Sequence, residues 1–213
     1  MKQKQIDSRY MVLLAMFCAL MLVLQITGIG LIPLPLIKAT TMHIPVILCA
    51  VLMGPKAGAI LGAVFGLCSI WGNIQTPALL SFAFSPIMAH ELCGVGGIFA
   101  SLWTALGCRI LLGVVAGWLW LGLKKLKCND YLALPITSAA ATLFHSLSVM
   151  TSIGLLFAPQ YADAKNVAID AVFGLAMGTV ATAGIAEAAA AVVLVTAIGK
   201  ALLAFLSHSN KKR

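Results

Sequence analysis

The chain has 213 residues, of which 62% are hydrophobic and only 9% are charged, and its formal net charge is +8. Soluble domains carry about 25% charged residues, so this composition excludes a soluble globular protein and predicts helices whose solvent is lipid. The length fits a single membrane domain, residues 1–213, without a soluble nucleotide-binding domain.

Successive apolar runs predict an all-α polytopic membrane protein with six transmembrane helices. In chain order the predicted spans are Met11–Gly30, Met42–Met53, Ala57–Trp71, Ile98–Leu123, Tyr131–Phe157 and Ala168–Leu206. The first run is long for a signal peptide and is expected to be retained. Polar residues and prolines interrupt Gly72–Gly97, for which we predict an outer loop segment.

The distribution of basic residues predicts that both chain ends are cytoplasmic. With the N-terminus inside and six spans, 11 of the 14 basic residues face the cytoplasm, as the positive-inside rule requires. They are Lys2, Lys4, Arg9, Lys56, Lys124, Lys125, Lys127, Lys200, Lys211, Lys212 and Arg213. Because these residues border apolar runs, nucleic acid is not an expected partner.

Small residues recur at four-residue spacing on several predicted spans. They are Gly54, Gly58, Gly62 and Gly66, then Gly113 and Gly117, then Gly174 and Gly178, and on the first span Ala15 and Ala19. In lipid, this spacing lets helix backbones approach closely. The pattern favours packing within the chain, with docking of a second membrane protein as the alternative.

Two charged residues fall inside apolar runs, Arg109 in the fourth span and Glu187 in the sixth. A charge at the bilayer centre costs about 2.5–3.5 kcal/mol on insertion scales. The two side chains could form an ion pair, or Arg109 could reach the membrane surface. Alternatively, Arg109 faces a cavity and meets an anionic group of a substrate.

Polar and aromatic side chains mark the outer ends of the third span and the segment after it. They are Trp71, Asn73, Gln75, Thr76, Phe82 and Ser85. Aromatic rings and amides together could enclose a small polar molecule, although an interfacial aromatic belt has a similar composition. We predict a substrate-binding role for these residues.

The fifth span carries His145 among several hydroxyl residues, including Thr142 and Ser148 at helical spacing. Such a polar face should point into the bundle. Thr40 and His43, just before or at the start of the second span, are expected to join the same outer cavity.

Motifs for catalysis and metal binding are absent from the sequence. There is no phosphate-binding loop, no H-E-x-x-H zinc motif and no nucleophile elbow, so this chain is not expected to hydrolyse ATP or to be an enzyme. The six cysteines have no metal-ligand spacing, and neither a metal nor another cofactor is expected.

From His43 to Ser69 the sequence resembles the second and third spans of substrate-binding S components of energy-coupling factor (ECF) transporters. The resemblance rests on the Ile44-Pro45 start, the Gly-Pro-Lys-x-Gly turn beginning at Gly54, and the glycine spacing that follows. The Gly-Ile-x-Glu-Ala sequence ending at Ala188 is also similar. The size and the six-span plan fit the same family.

This resemblance implies a binding subunit of a vitamin importer in the bacterial plasma membrane. Its partners would be a transmembrane T component and two cytoplasmic ATPase subunits that use ATP. Ala15 and Ala19 match the family's docking motif for the T component. In the family, the S component is thought to topple in the membrane to release its cargo.

The sequences Gly-Asn-Ile-Gln-Thr-Pro from Gly72 and Ser-Phe-Ala-Phe-Ser-Pro from Ser81 look most like pantothenate-specific S components, as does the sequence at Arg109. Pantothenate carries a carboxylate, which suits an intramembrane arginine. Riboflavin, folate or thiamine are alternative cargoes. A free-standing secondary transporter and an intramembrane enzyme are the other hypotheses.

Overall fold

The computed structural model describes residues 8–28, 31–33 and 38–211. Its helices are α1 (Ser8–Thr27), α2 (His43–Met53), α3 (Pro55–Gln75), α4 (Pro86–Leu102), α5 (Cys108–Lys125), α6 (Asp130–Leu156), α7 (Ala158–Lys165), α8 (Val172–Thr179) and α9 (Ile185–Lys211). Single π-helical turns, Trp103–Gly107 and Val180–Gly184, join α4 to α5 and α8 to α9. Short 3-10 turns lie at Ser81–Ala83 and Ile169–Ala171.

Between α1 and α2 the chain forms a small antiparallel hairpin. Its strands are β1 (Leu31–Pro33) and β2 (Lys38–Thr40), and Leu31 lies opposite Thr40. Only two residues separate β2 from α2. The hairpin therefore places Thr40 next to the N-terminal end of α2, the most buried helix of the bundle.

The predicted all-α polytopic fold is confirmed. Among the described residues, five helical segments are long and apolar enough to cross a membrane. The remaining predicted span corresponds to α2, which is apolar but has only 11 residues. The last residue of the first predicted span, Gly30, and both chain ends lie outside the described residues.

Helix α2 forms the centre of the bundle. Every residue from His43 to Val51 is buried, as expected for a helix that is apolar on all sides. The helix ends at Gly54, whose φ of 92° favours glycine. Pro55 then starts α3 at a position where its missing N–H costs no helical hydrogen bond.

The predicted outer loop segment at 72–97 is too long at both ends. Helix α3 continues to Gln75, and α4 already begins at Pro86. The side chain of Ser85 caps α4 by accepting a hydrogen bond from the Met88 N–H at 3.5 Å, and Pro86 suits the first helical turn. The proline that resembled a loop signal is therefore a helix start, and only the residues between Gln75 and Pro86 form a loop.

The glycine pattern on α3 serves packing within this chain. A Cβ atom added at Gly58 would collide with the Gly113 backbone, and one added at Gly62 would collide with the carbonyl oxygen of Arg109. Gly66 meets the backbone of Ala105 in the same way. Close contact between α3 and α5 therefore uses the small residues on both helices, as in other membrane interfaces.

Replacing Gly62 with alanine should destabilise the protein by about 1–3 kcal/mol, the usual cost of overpacking a tight contact. The new methyl group would push against the Arg109 carbonyl oxygen, which is backbone and cannot move aside. Thermal unfolding in detergent measures the effect. Gly178→Ala is the control, because among the described atoms none lies within 4 Å of its added Cβ. Equal melting temperatures for the two variants would contradict this packing.

Helix α1 lies at the edge of the bundle. It packs against α2 and α3, while Ala15 and Ala19 are exposed on its outer face. Larger apolar side chains beside them, including Met16 and Leu20, are also exposed. The predicted docking residues are thus available to lipid or to another membrane protein.

Candidate functional site

A cavity of about 360 Å³ lies inside the bundle and is called here the main chamber. Its walls are mostly apolar, with a few polar groups converging on the space, which is typical of small-molecule sites. The lining residues are Thr40, Leu80, Phe84, Arg109, His145, Ser146, Val149, Met150, Thr179, Val180, Ala183, Gly184 and Glu187.

A second cavity of about 280 Å³ adjoins it and is called the side lobe. The two cavities share Thr40, Phe84 and Arg109. The other lining residues of the side lobe are Gln25, Met42, Phe65, Ser69, Gly72, Asn73, Thr76 and Ala78. Arg109 therefore stands where both spaces meet.

The guanidinium of Arg109 is buried and held by neutral groups. Nη1 donates to the carbonyl oxygens of Thr104 and Ala105 at 3.1 and 2.9 Å, and Nη2 donates to Ser69 Oγ at 2.8 Å. Its Cζ also lies over the Phe65 and Phe84 rings, 4.7 and 5.1 Å from their centroids. These contacts fix its orientation without neutralising its charge.

The π-helical turn before α5 supplies the carbonyl contacts of Arg109. In a π turn the backbone hydrogen bonds reach one residue further, which changes the carbonyl directions within the turn. Thr104 and Ala105 lie in this turn, and their oxygens accept from Arg109. The second π turn, Val180–Gly184, contributes Val180, Ala183 and Gly184 to the chamber wall.

No acidic side chain pairs with Arg109 in the described part of the chain. Its hydrogen bonds go to Thr104, Ala105 and Ser69, and its Nε lacks a partner among the described residues. A buried cation without a counter-ion is costly. An anionic ligand group in either cavity would compensate this charge.

Glu187 faces the main chamber from the start of α9. Its Oε1 accepts from the backbone N–H of Thr40 at 3.1 Å, and its Oε2 accepts from Ser146 Oγ at 3.5 Å. Glu187 thus connects the hairpin and α6 to α9. Of the three interpretations left open by the sequence, the Arg109–Glu187 ion pair does not form, since both side chains bind neutral groups.

His145 lies where α6 meets the chamber. Its ring is buried and lies 6.2 Å from the Phe65 ring. Its Nδ1 and the hydroxyl of Thr142 have no hydrogen-bond partner within the described chain. The predicted polar face of α6 therefore points inward at Thr142 and His145. Ser148 does not join it, because its hydroxyl donates to the carbonyl oxygen of the exposed Phe144 at 2.7 Å.

Hydrogen bonds tie the loop between α3 and α4 to the wall of the side lobe. Asn73 Nδ2 donates to the Ser69 carbonyl oxygen at 2.8 Å, and its Oδ1 accepts from Ser81 Oγ at 2.6 Å. Thr76 Oγ1 donates to the Gly72 carbonyl oxygen at 3.0 Å. Asn73 and Thr76 line the side lobe as expected for site residues.

The remaining predicted site residues lie elsewhere. Trp71 is 61% exposed and borders an apolar groove of about 740 Å³ between α1 and α3. Gln75 is exposed at the end of α3, while Ser85 serves as the cap of α4. Phe82 packs edge-on against Phe157 with ring centroids 5.7 Å apart.

His43 is fully enclosed at the start of α2, and neither cavity is lined by it. Its Nε2 has no hydrogen-bond partner in the described chain. Its position one turn beyond Thr40 keeps it near the chamber without direct access to it.

The structure adds cavity residues beyond the predicted substrate-binding residues. Phe65 and Ser69, from α3, line the side lobe, and Phe84, from the loop, lines both cavities. Ser146 and Thr179, from α6 and α8, line the main chamber. Ser69 lies four residues before Asn73, on the same face of α3, and this spacing is a signal that could have identified it. Phe84 lies in the Ser-Phe-Ala-Phe-Ser-Pro sequence from Ser81, which already carried the resemblance to pantothenate-specific S components. For Thr179, neighbouring sequence gives no comparable signal.

Comparison with known families places nearly the whole chain in one group. The sequence model described as "ECF transporter, substrate-specific component" matches residues 9–199. A protein of Lactococcus lactis subsp. cremoris, named pantothenic acid transporter PanT, is 31% identical over 196 residues. This alignment covers 89% of the present chain and 91% of the relative.

A second relative comes from Leuconostoc mesenteroides subsp. mesenteroides and is named pantothenate transporter PanT. It is 25% identical over 214 aligned positions, which cover 96% of this chain and 97% of the relative. Both similarities extend over all the elements that form the two cavities.

Proposed function

The chain belongs to the family of substrate-specific components of ECF transporters, and from this premise we propose that it binds pantothenate from outside the cell. As a member of this family it is a substrate-binding transporter subunit, and it is a multi-pass protein of the bacterial plasma membrane. The cargo is inferred from the chemistry of the chamber together with the names of the two relatives.

The inference that the cargo is pantothenate rests on the uncompensated charge of Arg109. Pantothenate is a small anion with one carboxylate, and the planar guanidinium is suited to bind a carboxylate through paired hydrogen bonds. Nε lacks a described partner and the group borders both cavities. The carboxylate therefore belongs at Arg109, with the rest of the molecule in the main chamber.

The apolar part of pantothenate, with its two methyl groups, suits the remaining walls. Val149, Met150 and Val180 line the main chamber together with Phe84. The volume of about 360 Å³ lies within the range of about 300–1,000 Å³ for small-molecule sites. Burial of the methyl groups then supplies a non-directional part of the affinity.

We further propose that transport requires a transmembrane T component and two cytoplasmic ATPase subunits. Ala15 and Ala19, exposed on α1, are the proposed contact with the T component. ATP would be hydrolysed by the partner subunits, because this chain has no phosphate-binding loop. The chain itself would need no resident cofactor to bind its cargo.

Binding of labelled vitamins to the purified chain, in detergent and without ATP, tests the proposed function. The panel contains pantothenate, riboflavin, folate and thiamine. Saturable, tight binding of pantothenate alone is the expected result. Binding of another vitamin would contradict pantothenate as the cargo but would still agree with a vitamin-binding subunit. Failure of folded protein to bind any of them would contradict binding of these vitamins altogether.

A further inference from the structure

The main chamber contains two opposite charges that do not neutralise each other. Arg109 is bound by Ser69 and by backbone carbonyls, whereas Glu187 accepts from Thr40 and Ser146. Both side chains line the same chamber. Groups of opposite charge that remain unpaired in one cavity can each bind a different end of a single ligand.

The hydrogen bonds of Glu187 leave one of its oxygens with spare accepting capacity. An ionised carboxylate offers about four lone-pair sites. Thr40 uses Oε1 through its N–H at 3.1 Å and, more weakly, through Oγ1 at 3.5 Å. The Ser146 hydroxyl donates to Oε2 at a long 3.5 Å. Oε2 can therefore accept a shorter bond from a ligand.

Close packing between α6 and the start of α9 holds Glu187 at this wall. A Cβ atom added to Gly184 would lie 3.2 Å from the Ser146 Cβ, so glycine permits the helices to approach there. The π turn Val180–Gly184 directly precedes α9. Gly184, Ser146 and Glu187 consequently form one continuous part of the chamber wall.

The groups around Glu187 are neutral hydrogen-bond donors. Among residues 8–28, 31–33 and 38–211, no group of three or more His, Cys, Asp or Glu side chains could hold a metal ion. The neighbours of the carboxylate are instead hydroxyl and backbone donors. This environment is suited to a further hydroxyl donor.

We propose that Glu187 binds the hydroxyl end of the cargo while Arg109 binds its carboxylate. Resting on the proposed function, this inference assigns a ligand class to the chamber: a small anion whose carboxylate and hydroxyl donors lie at opposite ends of a partly apolar body. Glu187 is thus a specificity residue that selects for the hydroxyl groups. The apolar wall between the two poles contacts the body of the ligand.

Glu187→Gln tests this assignment with little change in shape. The Thr40 N–H requires an acceptor, so the glutamine oxygen should occupy the Oε1 position. The amide nitrogen then replaces Oε2 and cannot accept a hydrogen bond from a ligand hydroxyl. The hairpin contact is retained, and the hydrogen bond from the ligand hydroxyl to a charged acceptor is lost.

Two ligands are compared by titration of purified protein: pantothenate and N-(3,3-dimethylbutanoyl)-β-alanine, which keeps the carboxylate but lacks both hydroxyl groups. We expect Glu187→Gln to weaken pantothenate binding by about 10-fold or more, as for loss of a hydrogen bond to a charged group. The affinity for the analogue should change by less than about 3-fold. Glu91→Gln, an exposed position on α4, is the charge-matched control and should leave both affinities unchanged.

The outcomes separate this inference from the proposed function. If the wild-type protein does not bind pantothenate, the proposed cargo fails. If it binds, but Glu187→Gln weakens both ligands equally or neither, the assignment of Glu187 is overturned. Should Glu187→Gln fail to fold, Glu187→Asp replaces it: the carboxylate is kept but withdrawn by one methylene, and the same selective loss for pantothenate is expected.

Discussion

Replacement of Arg109 by alanine is expected to weaken pantothenate binding by about 100-fold or more. Removing one partner of a buried charge pair costs about 2–5 kcal/mol, because the other charge remains unpaired. Arg109 borders both cavities, and Ser69, Phe65 and Phe84 hold its guanidinium in place. Equilibrium binding of labelled pantothenate to purified protein measures the loss.

A neutral ligand distinguishes recognition of the carboxylate from a general structural role. Panthenol carries a neutral hydroxymethyl group in place of the carboxylate of pantothenate, and its affinity should change little in the Arg109→Ala variant. Arg109→Lys should recover only part of the pantothenate affinity, since an ammonium cannot make the paired planar contact. Unchanged pantothenate affinity combined with a lower melting temperature would show that Arg109 only stabilises the fold.

Tryptophan at both Ala15 and Ala19 is expected to reduce transport to background while binding stays within about 2-fold of the wild type. Small residues permit close approach of helices in lipid, and two indole rings would prevent it. Both alanines are exposed and lie away from the two cavities. Uptake of labelled pantothenate into vesicles containing the partner subunits and ATP measures transport, and titration of the isolated chain measures binding.

The chain provides a matched control for this change. Ala197 and Ala201 on α9 have the same four-residue spacing and are also exposed. Tryptophan at these two positions should leave both transport and binding near wild-type values. Full transport by the Ala15/Ala19 variant would rule out these residues of α1 as the docking face. An equal loss of transport in both double variants would indicate a general effect of bulky residues.

Several features of this protein could be predicted from local sequence. Successive apolar runs predicted the membrane helices, although the runs Met42–Met53 and Ala57–Trp71 are short for a span. Gly54-Pro55 predicted the tight turn that ends α2. The inward polar face of α6 followed from helical spacing alone, since Thr142 and His145 occupy the same side. The start of α4 was missed, because Ser85-Pro86 fits both a loop and a helix cap.

Other features depended on contacts between distant segments. The glycine spacing on α3 is compatible with packing within the chain and with docking of a partner. The close approach of the α5 backbone to these glycines shows that they serve packing within the chain. Arg109 and Glu187 looked like a possible ion pair, yet each binds neutral groups. The partner of Glu187, Thr40, is 147 residues away.

By itself, the sequence determined that this chain is a helical membrane protein, roughly where its spans lie, and which residues carry charge into the bilayer. Composition and helical period suffice for these properties, because lipid imposes the same requirement on every span. The tertiary structure decided which polar side chains share a cavity: Thr40, Arg109, His145 and Glu187 meet there, whereas Trp71 and Phe82 do not. The period of a helix defines its faces, but only packing against other helices selects the neighbour of each face.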